Sequence, residues 1–246
     1  MTLKIRLAGL VNKALRPLGV QVVKSSSMTA KPWDSVFERW IEAGRASAKD
    51  PNDIGDEEWY LDPLSQALQT HYLPHVTTES VVLELGPGTG RLTRHLIRRC
   101  RKLILADYSE LVCAWLGEYL KGKGRVEIHL IDGPTLTGIP DSSVDFAVAN
   151  GVFEHVFLAD LSLFLEETHR VLRTGGVLAF NFDNIASPGG LAWLWEQRSA
   201  SGGRCIFRFY HPETVRLLTE AAGFETLQLT TSDARMAYIE VRKEQA

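Results

Sequence analysis

The sequence predicts an α/β fold: a doubly wound, mainly parallel sheet with helices on both faces. Three observations carry this reading. From Val81 onward, short apolar runs alternate with helix-patterned stretches, the alternation that a parallel sheet covered on both sides requires. The run Val81-Val82-Leu83-Glu84-Leu85 leads directly into Gly86-Pro87-Gly88-Thr89-Gly90, and a helical pattern follows at Leu92, His95 and Leu96. A strand that passes through a glycine turn into a helix brings bare backbone up to a ligand, because glycine has no Cβ to block the approach. A second apolar run, Leu103-Ile104-Leu105-Ala106, ends in Asp107, 21 residues beyond Gly86. An acid near that spacing accepts hydrogen bonds from ribose hydroxyls. An ionised carboxylate suits the task, since its two oxygens only accept and can face two adjacent donors.

The elements follow in order. Apolar patterning places strands near 81–85, 103–107, 126–131, 144–149 and 176–182, with helices near 90–99, 109–120 and 160–172. Pro212 starts a further helix that Gly223 stops, and residues 224–230 and 236–241 read as two closing strands. Upstream, residues 33–48 form a helical stretch with Trp33, Phe37, Trp40 and Ile41 on one face, broken at Asp50-Pro51-Asn52-Asp53. Leu64 to Tyr72 precedes the first strand. No internal repeat and no low-complexity tract interrupts the chain.

The glycine spacing is G-x-G-x-G, not the G-x-G-x-x-G of nicotinamide-binding folds. Here the chain resembles the class I S-adenosylmethionine-dependent methyltransferases, from about Val81 to Val241. Glu84-Leu85-Gly86-Pro87-Gly88-Thr89-Gly90 is similar to their first motif, which passes the methionine part of the cofactor. Asp107, followed by Tyr108, resembles the ribose-binding acid at the end of strand two. Asp132-Gly133 resembles the adenine corner after strand three, and Asn150 closes the likeness to strand four. Leu172-Arg173-Thr174-Gly175-Gly176 resembles the turn into strand five. The resemblance implies S-adenosylmethionine as cofactor and a Rossmann-like seven-stranded sheet of order 3-2-1-4-5-7-6 with an antiparallel last strand. It also implies an N-terminal helical cap over residues 31–80 and a methyltransferase domain over 81–246.

Composition narrows the class. With 246 residues and 45% hydrophobic content the chain can build one sizeable core. A net charge of −3 offers no strong field for nucleic acid, so no such partner is expected. Cys100, Cys113 and Cys205 have no C-x-x-C spacing and read as reduced thiols of a cytoplasmic protein. No apolar run approaches the ~18 residues of a membrane span. Before Asp34 all charged side chains are basic (Lys4, Arg6, Lys13, Arg16, Lys24, Lys31), and Leu3, Leu7, Leu10, Val11, Ala14, Leu15 and Leu18 recur at helical spacing. Residues 1–30 thus read as a basic amphipathic helix and a linker. One reading docks the helix on its own domain or a partner subunit. The other makes residues 1–20 a peripheral anchor at the inner face of a membrane.

The loop after strand four, Asn150-Gly151-Val152-Phe153-Glu154-His155, is where a proton-accepting group is expected, because ligands of this fold gather beyond the carboxyl ends of the strands. His155 is the candidate general base and Glu154 the group that orients it. Related enzymes with a metal carry Glu-x-x-Glu-His here. Gly151 replaces the first Glu, so no metal is expected. Asn181 to Asn184 and the Arg- and aromatic-rich segment 204–211 are candidate acceptor contacts, and Gly189-Gly190 and Gly202-Gly203 bracket what reads as a movable lid. The expected function is methyl transfer to a small-molecule or glycan acceptor, at an oxygen, in the context of polysaccharide biosynthesis. A nicotinamide-dependent oxidoreductase and a non-catalytic cofactor-binding partner subunit are the alternatives.

Overall fold

The computed structural model describes residues 34–39, 41–42, 64–200 and 207–244. The expected basic helix and linker over residues 1–30, Trp33, Trp40, the break at 50–53 and Gly202-Gly203 lie outside them, as do Arg204 and Cys205. Residues 34–39 and 41–42 are helical, as the pattern over 33–48 predicts. Next come a short helix α1 (Leu64–Ala67), continued by a π-helical turn (Leu68–Tyr72), and β1 (Val81–Leu85). The chain goes on through α2 (Thr93–Leu96), β2 (Lys102–Asp107), α3 (Glu110–Tyr119), β3 (Val126–Leu130), β4 (Val144–Ala149), α4 (Leu158–Val171) and β5 (Leu172–Asn184). It ends with α5 (Pro188–Ala200), β6 (Phe209–Tyr210), α6 (Pro212–Ala221), β7 (Phe224–Thr230) and β8 (Met236–Lys243).

The sheet order is β3-β2-β1-β4-β5-β8-β7. Strands β1 to β5 pair in parallel, and β8 runs antiparallel to both β5 and β7. This is the expected order with one addition: β6, two residues long, pairs in parallel with Asp183 and Asn184 at the end of β5. Two residues are too few for a period-two pattern to reveal.

Side chains alternate across the sheet as strand geometry demands. Leu83, Leu85, Ile104, Ala106, Ala147, Leu178 and Phe180 join one core with Phe164, Leu165 and Val215. Val82, Leu103, Leu105, Phe146, Val148 and Ala179 join the other with Leu68, Leu96 and Leu116. The first core lies under α4 and α6, the second under α1, α2 and α3. Helix α4 buries Leu161, Phe164, Leu165, Thr168 and Val171, a stripe at i, i+3, i+4, i+7 and i+10. Ser109 caps α3 by accepting the Val112 N–H at 3.1 Å. Gly223, at φ +90°, ends α6 as the sequence predicts.

Three elements depart from expectation. Regular helix after the glycine turn covers only Thr93–Leu96, flanked by turns. Strand β5 begins at Leu172 and runs through Gly175, at φ +77°, with a register shift between Val144 and Phe146 on the neighbouring strand. The segment read as a lid contains helix α5, and its glycine pair is packed rather than free. A Cβ on Gly190 would lie 1.8 Å from the Asn184 carbonyl oxygen, and one on Gly189 would lie 2.7 Å from the Ala234–Arg235 backbone. These glycines allow the helix start to sit against two strand ends.

Candidate functional site

The site begins where β1 stops. Gly86, Gly88 and Gly90 have φ of +60°, +55° and +98°, conformations that side chains rarely adopt. The Gly86 N–H continues the ladder to the Ala106 carbonyl at 2.9 Å, and the Gly90 N–H closes the turn onto Pro87 at 3.0 Å. A Cβ on Gly86 would sit 2.6 Å from Val152. The turn is therefore pressed against the loop that follows β4. Below it, buried Glu84 accepts the Thr93 hydroxyl at 2.8 Å, and the Trp115 indole N–H is donated to the Thr89 carbonyl at 3.0 Å.

Asp107 ends β2 beside this turn. Its carboxylate accepts the Ser109 N–H at 2.9 Å and also meets the backbone N–H groups of Gly88 and Tyr108. Burial pushes its pKa up to about 6, against the lowering effect of those N–H groups, and nearby Asp34 adds to the rise. The Ser109 hydroxyl donates to Asp34, so the N-terminal helical residues reach this acid. One strand over, the Ile131 N–H bonds the Asp107 carbonyl at 2.9 Å, which sets exposed Asp132 at the same sheet edge. Tyr108 senses both acids: burial, then Asp160, Asp107 and Asp132, raise its hydroxyl pKa. Beside Gly133, at φ +98°, a Cβ would meet nothing within 4 Å, so this corner is open.

The end of β4 is held from both sides. The Tyr72 hydroxyl donates to Asn150 Oδ1 at 2.8 Å, and the Gly151 N–H donates to Asn181 Oδ1 at 2.8 Å. Asn181 reaches Met236 Sδ at 3.5 Å through its amide nitrogen. The following turn is Phe153–His155. Glu154 and His155 are buried, and the His155 ring lies 4.9 Å from that of Phe207. The Arg208 N–H binds the Glu154 carbonyl, and Tyr210 bonds the Val156 carbonyl. Residues 207–210 thus roof the turn, while His211 caps α6 by accepting the Glu213 N–H at 3.3 Å. The aromatic segment is a structural cover over its described length.

A cavity of about 460 Å³ opens between the segment before β1, α5 and the start of β8. Its walls come from α1 and its π-helical turn (Gln66, Thr70, His71), from α5 (Trp193, Glu196) and from the end of the β7–β8 hairpin (Ser232, Arg235, Met236, Tyr238). Arg235 makes a two-point bond to buried Asp183, at 2.5 and 3.2 Å, and lies 4.3 Å from the Trp193 ring centre. Burial pushes the Asp183 pKa up, against the lowering effect of the Arg235 guanidinium. At the floor, His71 Nδ1 and His75 Nε2 lie 2.7 and 2.6 Å from the two oxygens of Glu240. The His71 ring stacks on Tyr238 at 4.6 Å. Glu154 and His155 do not line this cavity. Among the described residues no group of three or more His, Cys, Asp or Glu is arranged to hold a metal ion.

Residues 83–180 match the family model described as a methyltransferase domain. The malonyl-[acyl-carrier protein] O-methyltransferase of Yersinia pestis is 28% identical over 120 residues. Residues 83–180 are thus similar to a methyltransferase domain, set in a class I S-adenosylmethionine-dependent methyltransferase fold. The stretch aligned with the Yersinia enzyme covers 49% of this chain and 43% of that protein, so the likeness spans less than half of the relative's length. Two solved structures share the fold. One is the complex between the Haloferax volcanii Trm112 methyltransferase activator and a methyltransferase (TM-score 0.63, 16% identity, 85% of this chain and 98% of that one). The other is an S-adenosylmethionine-dependent methyltransferase from Aquifex aeolicus (TM-score 0.56, 20% identity, 79% and 98%).

The cofactor of this methyltransferase domain is S-adenosylmethionine, and the local chemistry fits it. A nucleoside needs an acceptor-only group for its ribose hydroxyls and open backbone for its base. Asp107 is a buried carboxylate at the glycine turn, and the Gly133 corner is unobstructed. Gly86, Gly88 and Gly90 follow β1, Asp107 and Tyr108 stand at the end of β2, Asp132 and Gly133 follow β3, and Asn150, Glu154 and His155 follow β4, with Glu84 in β1 ahead of the turn. Sequence reasoning missed His71, Glu240, Trp193 and Arg235. They lie in helices and strands outside any glycine motif, and only tertiary packing joins them.

Proposed function

We propose that this chain transfers the methyl group of S-adenosylmethionine to an oxygen of a small-molecule or glycan acceptor. The observation that carries the reading is the contact of the buried Asp107 carboxylate with the Gly88 N–H at the glycine turn. The cofactor supplies a methyl carbon already activated by a sulfonium. What the chain adds is position: acceptor oxygen, methyl and sulfur in line within a site shielded from water. Asp107 would take the ribose hydroxyls, Asp132 and Gly133 the adenine edge, and the turn at Gly86–Gly90 the methionine portion. Asn150, fixed by Tyr72, would border the reacting end. The cavity of about 460 Å³ is the acceptor site in this reading.

An acceptor hydroxyl must also give up its proton. His155, oriented by Glu154, is one candidate base, and Phe207 has to leave its imidazole for it to reach an acceptor. A specific observation favours a second candidate. His71 lies on the cavity wall with Nδ1 held by the buried Glu240 carboxylate, the arrangement that fixes an imidazole for proton transfer.

The experiment is incubation of the full chain with methyl-labelled S-adenosylmethionine and an extract of small metabolites and glycans, read by mass spectrometry. Labelled methyl on an acceptor oxygen supports the reading. Label on nitrogen or carbon only would overturn the oxygen assignment. Binding of NAD(H) in place of S-adenosylmethionine would favour the oxidoreductase alternative. Cofactor binding with no label in any extract would favour the non-catalytic subunit.

A further inference from the structure

The charge pattern of the cavity bears on what can enter it. Resting on the methyltransferase reading, we propose that this cavity takes an uncharged or cationic ring-bearing acceptor and rejects carboxylates. Two links join the cavity to the end of β4. His71 on its wall precedes Tyr72, which bonds Asn150, and Met236 on its wall is reached by Asn181, which bonds Gly151. The cavity is therefore tied to the loop that borders the reacting end through two side-chain links.

Its volume of about 460 Å³ suits a one- or two-ring molecule. Trp193, Met236 and Tyr238 give apolar walls, and the buried Trp193 indole N–H has no acceptor among the described residues. An uncharged oxygen on the ligand can satisfy that donor. The charged groups then decide the class. Glu196 stands exposed on the wall. Arg235 is the only guanidinium on the described lining, and its Nε and Nη2 bond the Asp183 carboxylate, which balances its charge. Behind His71 lies a second buried carboxylate, Glu240. An incoming carboxylate would thus meet the Glu196 carboxylate and no cation whose charge is unbalanced among the described lining residues, and it would lose its hydration on entry. A neutral hydroxyl ring pays no such cost, and an ammonium is drawn to Glu196.

The test uses the full chain saturated with S-adenosylhomocysteine and three probes of one shape: 2-naphthol, 2-naphthylmethylammonium and 2-naphthoate. Calorimetry should show naphthol and the ammonium binding at least about tenfold more tightly than naphthoate. Glu196→Gln, at an exposed side chain, should weaken the ammonium severalfold and leave naphthol unchanged. Trp193→Ala should weaken all probes that bind. Naphthoate binding as tightly as naphthol, or no probe binding while S-adenosylmethionine still binds, would overturn this inference alone. Failure of the intact chain to bind S-adenosylmethionine would overturn the methyltransferase reading and this inference with it.

Discussion

The hydroxyl of Tyr72 donates to Asn150 Oδ1 at 2.8 Å, tying the helical segment before β1 to the carboxyl end of β4. Tyr72 is fully buried. The bond therefore joins the packing of one helix to the position of the loop that borders the proposed reaction.

Tyr72→Phe is expected to cost about 0.5–1.5 kcal/mol of stability, the net worth of one part-buried hydrogen bond. Denaturant unfolding measures this. A midpoint equal to that of the wild type would mean that water replaces the lost donor and the link is dispensable.

Proton linkage at Asp107 gives a pH signature. Its native pKa, near 6, lies above the ordinary carboxylate value. The native state therefore holds a proton that the unfolded chain has released. This contribution to stability is complete below about pH 4 and is lost as pH rises through about 6. Ribose hydroxyls favour the ionised form, so cofactor binding should release a proton and weaken as pH falls below 6. Calorimetry in buffers of different ionisation enthalpy reads that proton. Binding with no proton exchanged between pH 5 and 7 would contradict the assignment.

The two candidate bases separate by mutation. If His71 takes the proton, His71→Gln should lower kcat by about 10²–10⁴ with cofactor binding unchanged. His155→Gln should then alter activity mainly through stability. The reverse pattern would return the base to the loop after β4 and require residues 207–210 to move.

Gly190→Ala tests whether the start of α5 is packed or hinged. A Cβ there would fall 1.8 Å from a backbone oxygen, so the helix must shift. The variant should be destabilised by several kcal/mol, on the order of the largest single-site effects. A variant as stable as the wild type would support the lid reading instead.

Much of this structure was legible in the sequence. Val81–Leu85 could be read as a central strand because all five residues are apolar or lie beneath a glycine turn, and all five are buried. Asp107 could be read because its spacing from Gly86 is fixed by one strand–helix–strand unit. Helix α5 was hidden by Gly189-Gly190, which signal a hinge in one dimension and close packing in three. The His71–Glu240 contact spans 169 positions, and no local pattern reports a pairing that only the antiparallel β8 brings about. His155 was prominent because of its motif, yet residues 207–210 cover it, and their fold over the turn depends on a two-residue strand.

Isothermal calorimetry of S-adenosylmethionine against the full chain and its Asp107→Ala variant tests the central claim most directly. Loss of a charge-assisted bond costs about 1.5–3 kcal/mol, or roughly 10- to 100-fold in affinity. One saturable site in the intact chain, weakened by that factor in the variant, is the expected result. No binding by the intact chain, or equal binding by both proteins, would contradict it.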